Sequence, residues 1–168
     1  MGRVSMMGLS TLRRTAACLL ALFAACALAG CAVPSFLSFK GDKVKWKQVT
    51  LVASDDVNGN SPVAVDVVLV TDDALVDRLT ALPASKWFDG RADLVASFPK
   101  GLRYQSWELV PGQRLDVSGD TFDGTRVAGA FVFANYPQAG AHRVRIQQFS
   151  GTLVVQLDDT AFSVSDTK

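Results

Sequence analysis

His142 is the only histidine in the sequence, and Cys18, Cys26 and Cys31 are the only cysteines, all in the first fifth of the chain. Beyond residue 31 there is no thiol, so thiolate metal sites, disulfides and Cys–His nucleophilic pairs are excluded there, and one imidazole is too few for a histidine zinc centre. A serine nucleophile would need a strained elbow to expose it, and no Gly-x-Ser-x-Gly segment exists. His142 reads as an ordinary residue at the start of a strand. The acidic pairs Asp55-Asp56, Asp72-Asp73 and Asp158-Asp159 fall in turn or cap positions, where aspartate is favoured because its side chain bonds nearby backbone N–H groups. Neighbouring carboxylates on an extended chain also point apart, so none is a ready acid–base dyad. Asp55–Asn60 lacks the spacing of an EF-hand calcium loop, and there is no glycine-rich phosphate loop. No cofactor, metal or small-molecule substrate is therefore expected, and the protein is not expected to be an enzyme.

The residue with a defined chemical fate is Cys31. Arg3, Arg13 and Arg14 precede an uncharged run of 16 residues, Thr15 to Gly30. That run is shorter than the ~20 residues that span a bilayer. It ends in Leu28-Ala29-Gly30-Cys31, small residues before a cysteine, which is the order of parts in a bacterial lipoprotein signal. An ordinary cleaved signal or an uncleaved anchor helix are the competing readings. On the lipoprotein reading residues 1–30 are removed, the Cys31 thiol is diacylated with fatty chains such as palmitate, and 138 residues remain. Several acyl chains, at ~0.8 kcal/mol per buried methylene, hold a protein to a membrane where one chain does so only marginally. Ala32 stands where an aspartate would signal inner-membrane retention, which favours the periplasmic face of the outer membrane.

Residues 31–43 read as a tether. Phe36, Leu37 and Phe39 either rest in the membrane interface, with Lys40 and Lys43 near headgroup phosphates, or are solvated. After residue 30 the chain carries 14 basic and 16 acidic residues. That balance offers no basic stripe for nucleic acid.

Residues 44–168 are expected to form one mainly β domain. Lysine–apolar alternation opens a strand over 44–52, and Ser54–Ser61 is a polar loop with an Asn-Gly turn. Pro62–Thr71 is almost continuously apolar, so it should be a central strand buried on both faces, with Asp66 needing a partner. Thr71 is expected to cap a helix over 72–82, and Arg91–Phe98 to form a second short one before Pro99. Trp87 and Phe88 lie between them, either pinning the helices to the sheet or forming an exposed patch. Strands return at 102–109, 114–117, 125–136 (with Gly129 at a bulge or close approach), 143–149, 152–157 and 161–164. Seven or so strands with one helical insertion after the second make a β-sandwich.

Three stretches carry a family resemblance. "VTLVASDDVNGNSPVAVDVVLVTDDALVDRL" (49–79), "WELVPGQRLDV" (107–117) and "VAGAFVFANY" (127–136) resemble the TssJ family, outer-membrane lipoproteins of the type VI secretion membrane complex. The resemblance implies a transthyretin-like or Ig-like sandwich with a helical insertion. It also implies docking of the periplasmic part of a TssM-like inner-membrane protein through strand-connecting loops. Transferred to this chain, it points to Asp55, Asp56, Asn58 and Asn60, for which plain turn chemistry is the alternative. All four side chains are expected to be solvated. A pilotin or accessory lipoprotein of another envelope assembly, or a ligand-binding lipoprotein, would carry the same anchor.

Replacing the thiol tests the anchor: Cys31→Ser should abolish acylation, and mass spectrometry of the wild-type N-terminus should show a lipidated Cys31. An unmodified wild-type Cys31 would remove the lipoprotein reading.

Overall fold

Two four-stranded sheets and a pair of helices make three layers in the computed structural model, which describes residues 41–167. In chain order the strands are β1 (Asp42–Lys43), β2 (Lys45–Ala53), β3 (Val63–Val70), β4 (Leu102–Leu109), β5 (Arg114–Ser118), β6 (Arg126–Val127), β7 (Gly129–Ala134), β8 (Arg143–Ile146), β9 (Ser150–Leu157) and β10 (Phe162–Thr167). One sheet runs β10-β9-β2-β5, the other β4-β3-β7-β8, and β1 pairs with β6 alone. Among the described residues only β2 and β9 pair in parallel. Helices α1 (Asp73–Ala81) and α2 (Ala84–Ser97) form the connection from β3 to β4.

The apolar run of β3 is explained by what covers it. Val65, Val67 and Leu69 face the second sheet, where they meet Val49 and Leu51 of β2 and Leu153 and Val155 of β9. Val68 and Val70 point the other way, into a second core with Leu75, Val76 and Leu79 of α1, Trp87 of α2, and Phe131 and Phe133 of β7. An antiparallel strand normally alternates because one face is wet; here helices cover that face, so both sets of side chains must be apolar. The exception is Asp66, which is completely buried. Its Oδ2 accepts from Trp87 Nε1 at 2.8 Å and from Arg91 Nη1. Trp87 and Arg91 are four residues apart on one face of α2. The indole stacks on Phe133, with ring centroids 5.0 Å apart, and meets Tyr104 edge-on at 5.7 Å. The Arg91 guanidinium lies over the Phe88 and Tyr104 rings.

The helical layer departs from the sequence expectation in two ways, the cap of α1 and the start of α2. Asp72, not Thr71, caps α1, its Oδ1 accepting from Ala74 N at 3.0 Å. The Thr71 hydroxyl instead donates to Lys100 O. Helix α2 starts at Ala84, two turns earlier than Arg91, so Trp87 and Phe88 lie within it. Trp87 is fully buried, which rules out an exposed patch centred on it. Gly90 disguised the continuity: it weakens helix propensity, yet Trp87, Arg91, Leu94, Val95 and Phe98 form one stripe across it. Elsewhere the 125–136 stretch divides into β6 and β7, and Ser150 and Gly151 belong to β9 rather than to a turn. Gly129 is a close approach, since a Cβ there would lie 3.2 Å from Val76 of α1.

Removing the Asp66 carboxylate leaves the Trp87 N–H and the Arg91 charge unpaired. Asp66→Ala is expected to lower unfolding free energy by about 3–5 kcal/mol, and Trp87→Phe, which keeps the ring stack but loses the donor, by about 1–2 kcal/mol. Urea unfolding measures both. An Asp66→Ala cost below about 1 kcal/mol would show that apolar packing alone docks the helices.

Candidate functional site

Four connections meet at one end of the sandwich: β2–β3 (54–62), β4–β5 (110–113), β7–β8 (135–142) and β9–β10 (158–161). The first contains the four residues singled out in the sequence. Its turn, Val57–Asn60, puts three successive residues at left-handed dihedrals, with φ of 49° at Asn58, 62° at Gly59 and 59° at Asn60. Asparagine and glycine adopt that region at least cost, which explains "NGN" there. Val57 is buried beneath it as the plug that seats the turn on the core.

Hydrogen bonds tie the connections together. Ser54 O accepts from Gly112 N at 3.0 Å, and Gly59 N donates to Asp159 Oδ1 at 3.0 Å. Tyr136, only 4% exposed, directs its hydroxyl between the carbonyls of Asp158 and Ala161, at 3.0 and 2.9 Å. Burial, reinforced by the nearby Asp158 charge, pushes the Tyr136 phenol up to about 12. His142 takes a positive φ and sets its ring against Tyr136, with Nε2 2.9 Å from Gln138 O. It joins no serine–carboxylate arrangement in the hydrogen-bond pattern of the described residues.

The four expected site residues share this loop but not one role. Asp55 and Asp56 are exposed, and Asp56 Oδ1 accepts from Ser54 Oγ at 2.6 Å. Asn60 is exposed too. Asn58 corrects the expectation of a solvated side chain: it is half-buried, and its Nδ2 donates to Pro62 O at 2.8 Å across the turn. Its amide therefore belongs to the loop's own architecture. Two features of this end were missed in the sequence. Asp158 and Asp159, about a hundred residues away, come beside the same turn, Asp158 O accepting from Asn58 N and Asp159 Oδ1 from Gly59 N. Val110, at 51% exposure, is the one large apolar side chain so exposed among the described residues. The Pro-Gly after Val110 marked a turn, but nothing in the sequence brought it to this end. Among the described residues no three His, Cys, Asp or Glu side chains group to hold a metal ion. The geometry offers an anionic loop end, braced by its own hydrogen bonds, with one exposed apolar side chain.

Comparison with known proteins places the fold. No family model matches the chain, and no curated protein matches it. Solved structures do. TssJ1, the type VI secretion lipoprotein of Pseudomonas aeruginosa, is 14% identical with a TM-score of 0.54, over 74% of this chain and 98% of that one. Serratia marcescens Lip, a membrane-bound component of the type VI secretion system, is 14% identical with a TM-score of 0.50, over 71% and 96%. A chain from a structure described as the C-terminal domain of the type VI secretion protein TssM from EAEC is 13% identical with a TM-score of 0.52, over 75% and 100%. The protein is a mainly β sandwich, and its fold is that of the TssJ lipoproteins.

The buried tyrosine makes a prediction with a definite sign. An acid whose folded pKa is raised contributes stability below its unfolded pKa and loses it as pH rises through the folded value. Wild-type stability should thus fall between pH 10 and about 12 through Tyr136. Tyr136→Phe, less stable by about 1 kcal/mol at neutral pH, should lose less over that window. Parallel urea titrations from neutral to strongly alkaline pH read the difference; a constant gap between the two proteins would exclude the linkage.

Proposed function

We propose that this protein is a TssJ-like lipoprotein of a type VI secretion membrane complex, held to the periplasmic face of the outer membrane through acylated Cys31. Its loop end docks the periplasmic part of a TssM-like inner-membrane component. The observation that carries the reading is the shared fold, which extends over nearly the whole of TssJ1. Three further points support it. The Leu28-Ala29-Gly30-Cys31 segment supplies the anchor. The described chain begins at the opposite end of the sandwich from the loops, and β2 covers its nine residues, roughly 30 Å, between the two. The acidic loop face with Val110 at its margin has the make-up of a docking surface: an apolar point within a charged rim.

Interface energy is concentrated in few residues, and charged rims act mainly on association rate. The double variant Asp55→Ser, Asp56→Ser leaves the Asn58–Gly59–Asn60 turn intact. It is expected to weaken binding to the partner's periplasmic domain at least tenfold, about 1.4 kcal/mol. The loss should sit mostly in the association rate and shrink at high salt. Surface plasmon resonance, with thermal unfolding as the control, decides it. Unchanged affinity with an intact fold would move the contact away from this loop.

A further inference from the structure

The opposite end of the sandwich holds a second feature. Gly41, Asp42, Lys43, Lys45, Arg126, Gln148 and their neighbours line an open concavity of about 530 Å³ where the described chain begins. Three cations, Lys43, Lys45 and Arg126, face one carboxylate, Asp42, on this lining. Local structure holds the cations there. The β1–β6 pair places Lys43 opposite Arg126, and Arg126 Nη1 donates to Gly41 O at 3.1 Å, which fixes the guanidinium at the rim. Lys45 N donates to Phe149 O at 2.7 Å, and Trp46, whose Nε1 donates to Gln148 O, seats the floor. Lys43 has a loose ion pair with Asp123 at 3.8 Å, both side chains well exposed, the kind of contact that contributes little. Lys45 and Arg126 make no ion pair among the described residues.

We infer that this basic concavity is a headgroup site, in which Lys43, Lys45 and Arg126 take the phosphate of an anionic phospholipid in the membrane that carries the lipid anchor. The inference rests on the Cys31 anchor proposed above. Nine residues lie between Cys31 and Gly41, ten steps that span at most about 35 Å of extended chain, so the end of the domain nearest the bilayer in covalent terms is the end that bears these cations. Three cations suffice for a clear preference, since each lysine or arginine at an anionic surface is worth on the order of fivefold. The domain would then rest on the bilayer by its basic end and turn the acidic loops away from it.

The test uses the mature protein purified from envelopes and added to preformed vesicles of phosphatidylcholine alone or mixed with phosphatidylglycerol. An impermeant amine-reactive label is read residue by residue by mass spectrometry, with Lys86 on α2 as the internal reference. Lys43 and Lys45 are expected to label at least about threefold less on the phosphatidylglycerol vesicles, and Arg126→Gln should reduce that protection while Lys86 stays constant. Flotation with pure phosphatidylcholine reports the anchor separately. Flotation on both vesicles with equal labelling overturns the headgroup site and leaves the anchor standing. Flotation on both vesicles with protection only on phosphatidylglycerol supports the headgroup site and the anchor together, whereas flotation and protection both confined to phosphatidylglycerol keep the headgroup site and remove the anchor. Flotation on neither overturns both. Protection on phosphatidylcholine produced by added inorganic phosphate alone, without a phosphatidylglycerol effect, would make this a free-phosphate site and overturn the membrane assignment.

Discussion

A carboxylate buried in the middle of the central strand governs how this molecule is assembled. Desolvating an ion costs several kcal/mol, and Asp66 recovers this only by accepting from both the indole N–H of Trp87 and the guanidinium of Arg91. The apolar contacts between sheet and helices are non-directional and would tolerate α2 in several rotations. Two bonds from residues four apart on that helix tolerate one. Trp87 is then clamped between Phe133 and Tyr104, and Arg91, at 27% side-chain exposure, closes the edge of the layer while keeping part of its charge in water. Asp66 thus specifies the helical layer, and the surrounding apolar area stabilises it.

With one face of β3 committed to the helices, the other must seal the sandwich, and this settles where functional surface can exist. The broad faces of the inner sheet are spent on packing. What remains free is the outer face of the other sheet, the outer side of the helices, the two ends and the edge strands. The edges carry charge that discourages further pairing, Arg114 and Asp116 on β5 and Arg143 and Arg145 on β8. Hydrogen bonds from the Thr50 hydroxyl and from Arg114 lower the pKa of Asp116 on that edge. The two ends differ in charge, with acidic loops at one and the basic concavity at the other.

The strands were legible in the sequence because local chemistry determined them. Pro62–Thr71 announced a doubly covered strand, and Asp66 announced the need for a partner. The partner itself was hidden, since Gly90 and the aromatic pair broke the pattern of α2 when only local propensity was weighed. The sandwich and its helical insertion followed from strand count and period. The loop end was half legible. "DDVNGN" marked the turn, but whether an asparagine in such a turn serves a partner or its own backbone depends on a φ of 49° and a bond to Pro62 that composition does not encode. Asp159 and Val110 could not have been placed beside it from the sequence, because the β9–β10 and β4–β5 connections reach this end only through the sheet register.

The rigidity of that end bears on what binding there would cost. A loop of polar residues ordinarily surrenders backbone and side-chain freedom when it meets a partner, and that loss subtracts from affinity. Here the freedom is already lost. The left-handed turn is anchored by Val57 below, by Asn58 across its own mouth and by Asp159 from the neighbouring connection, while Tyr136 fixes the connection that holds Asp159. The strain of three consecutive positive φ values is carried by the folded domain. A surface ordered in advance in this way can bind through few contacts, and two exposed carboxylates beside one apolar side chain are few. The same bracing means that Asn58 and Tyr136, which touch no partner on this reading, hold the geometry through which Asp55 and Asp56 would meet one.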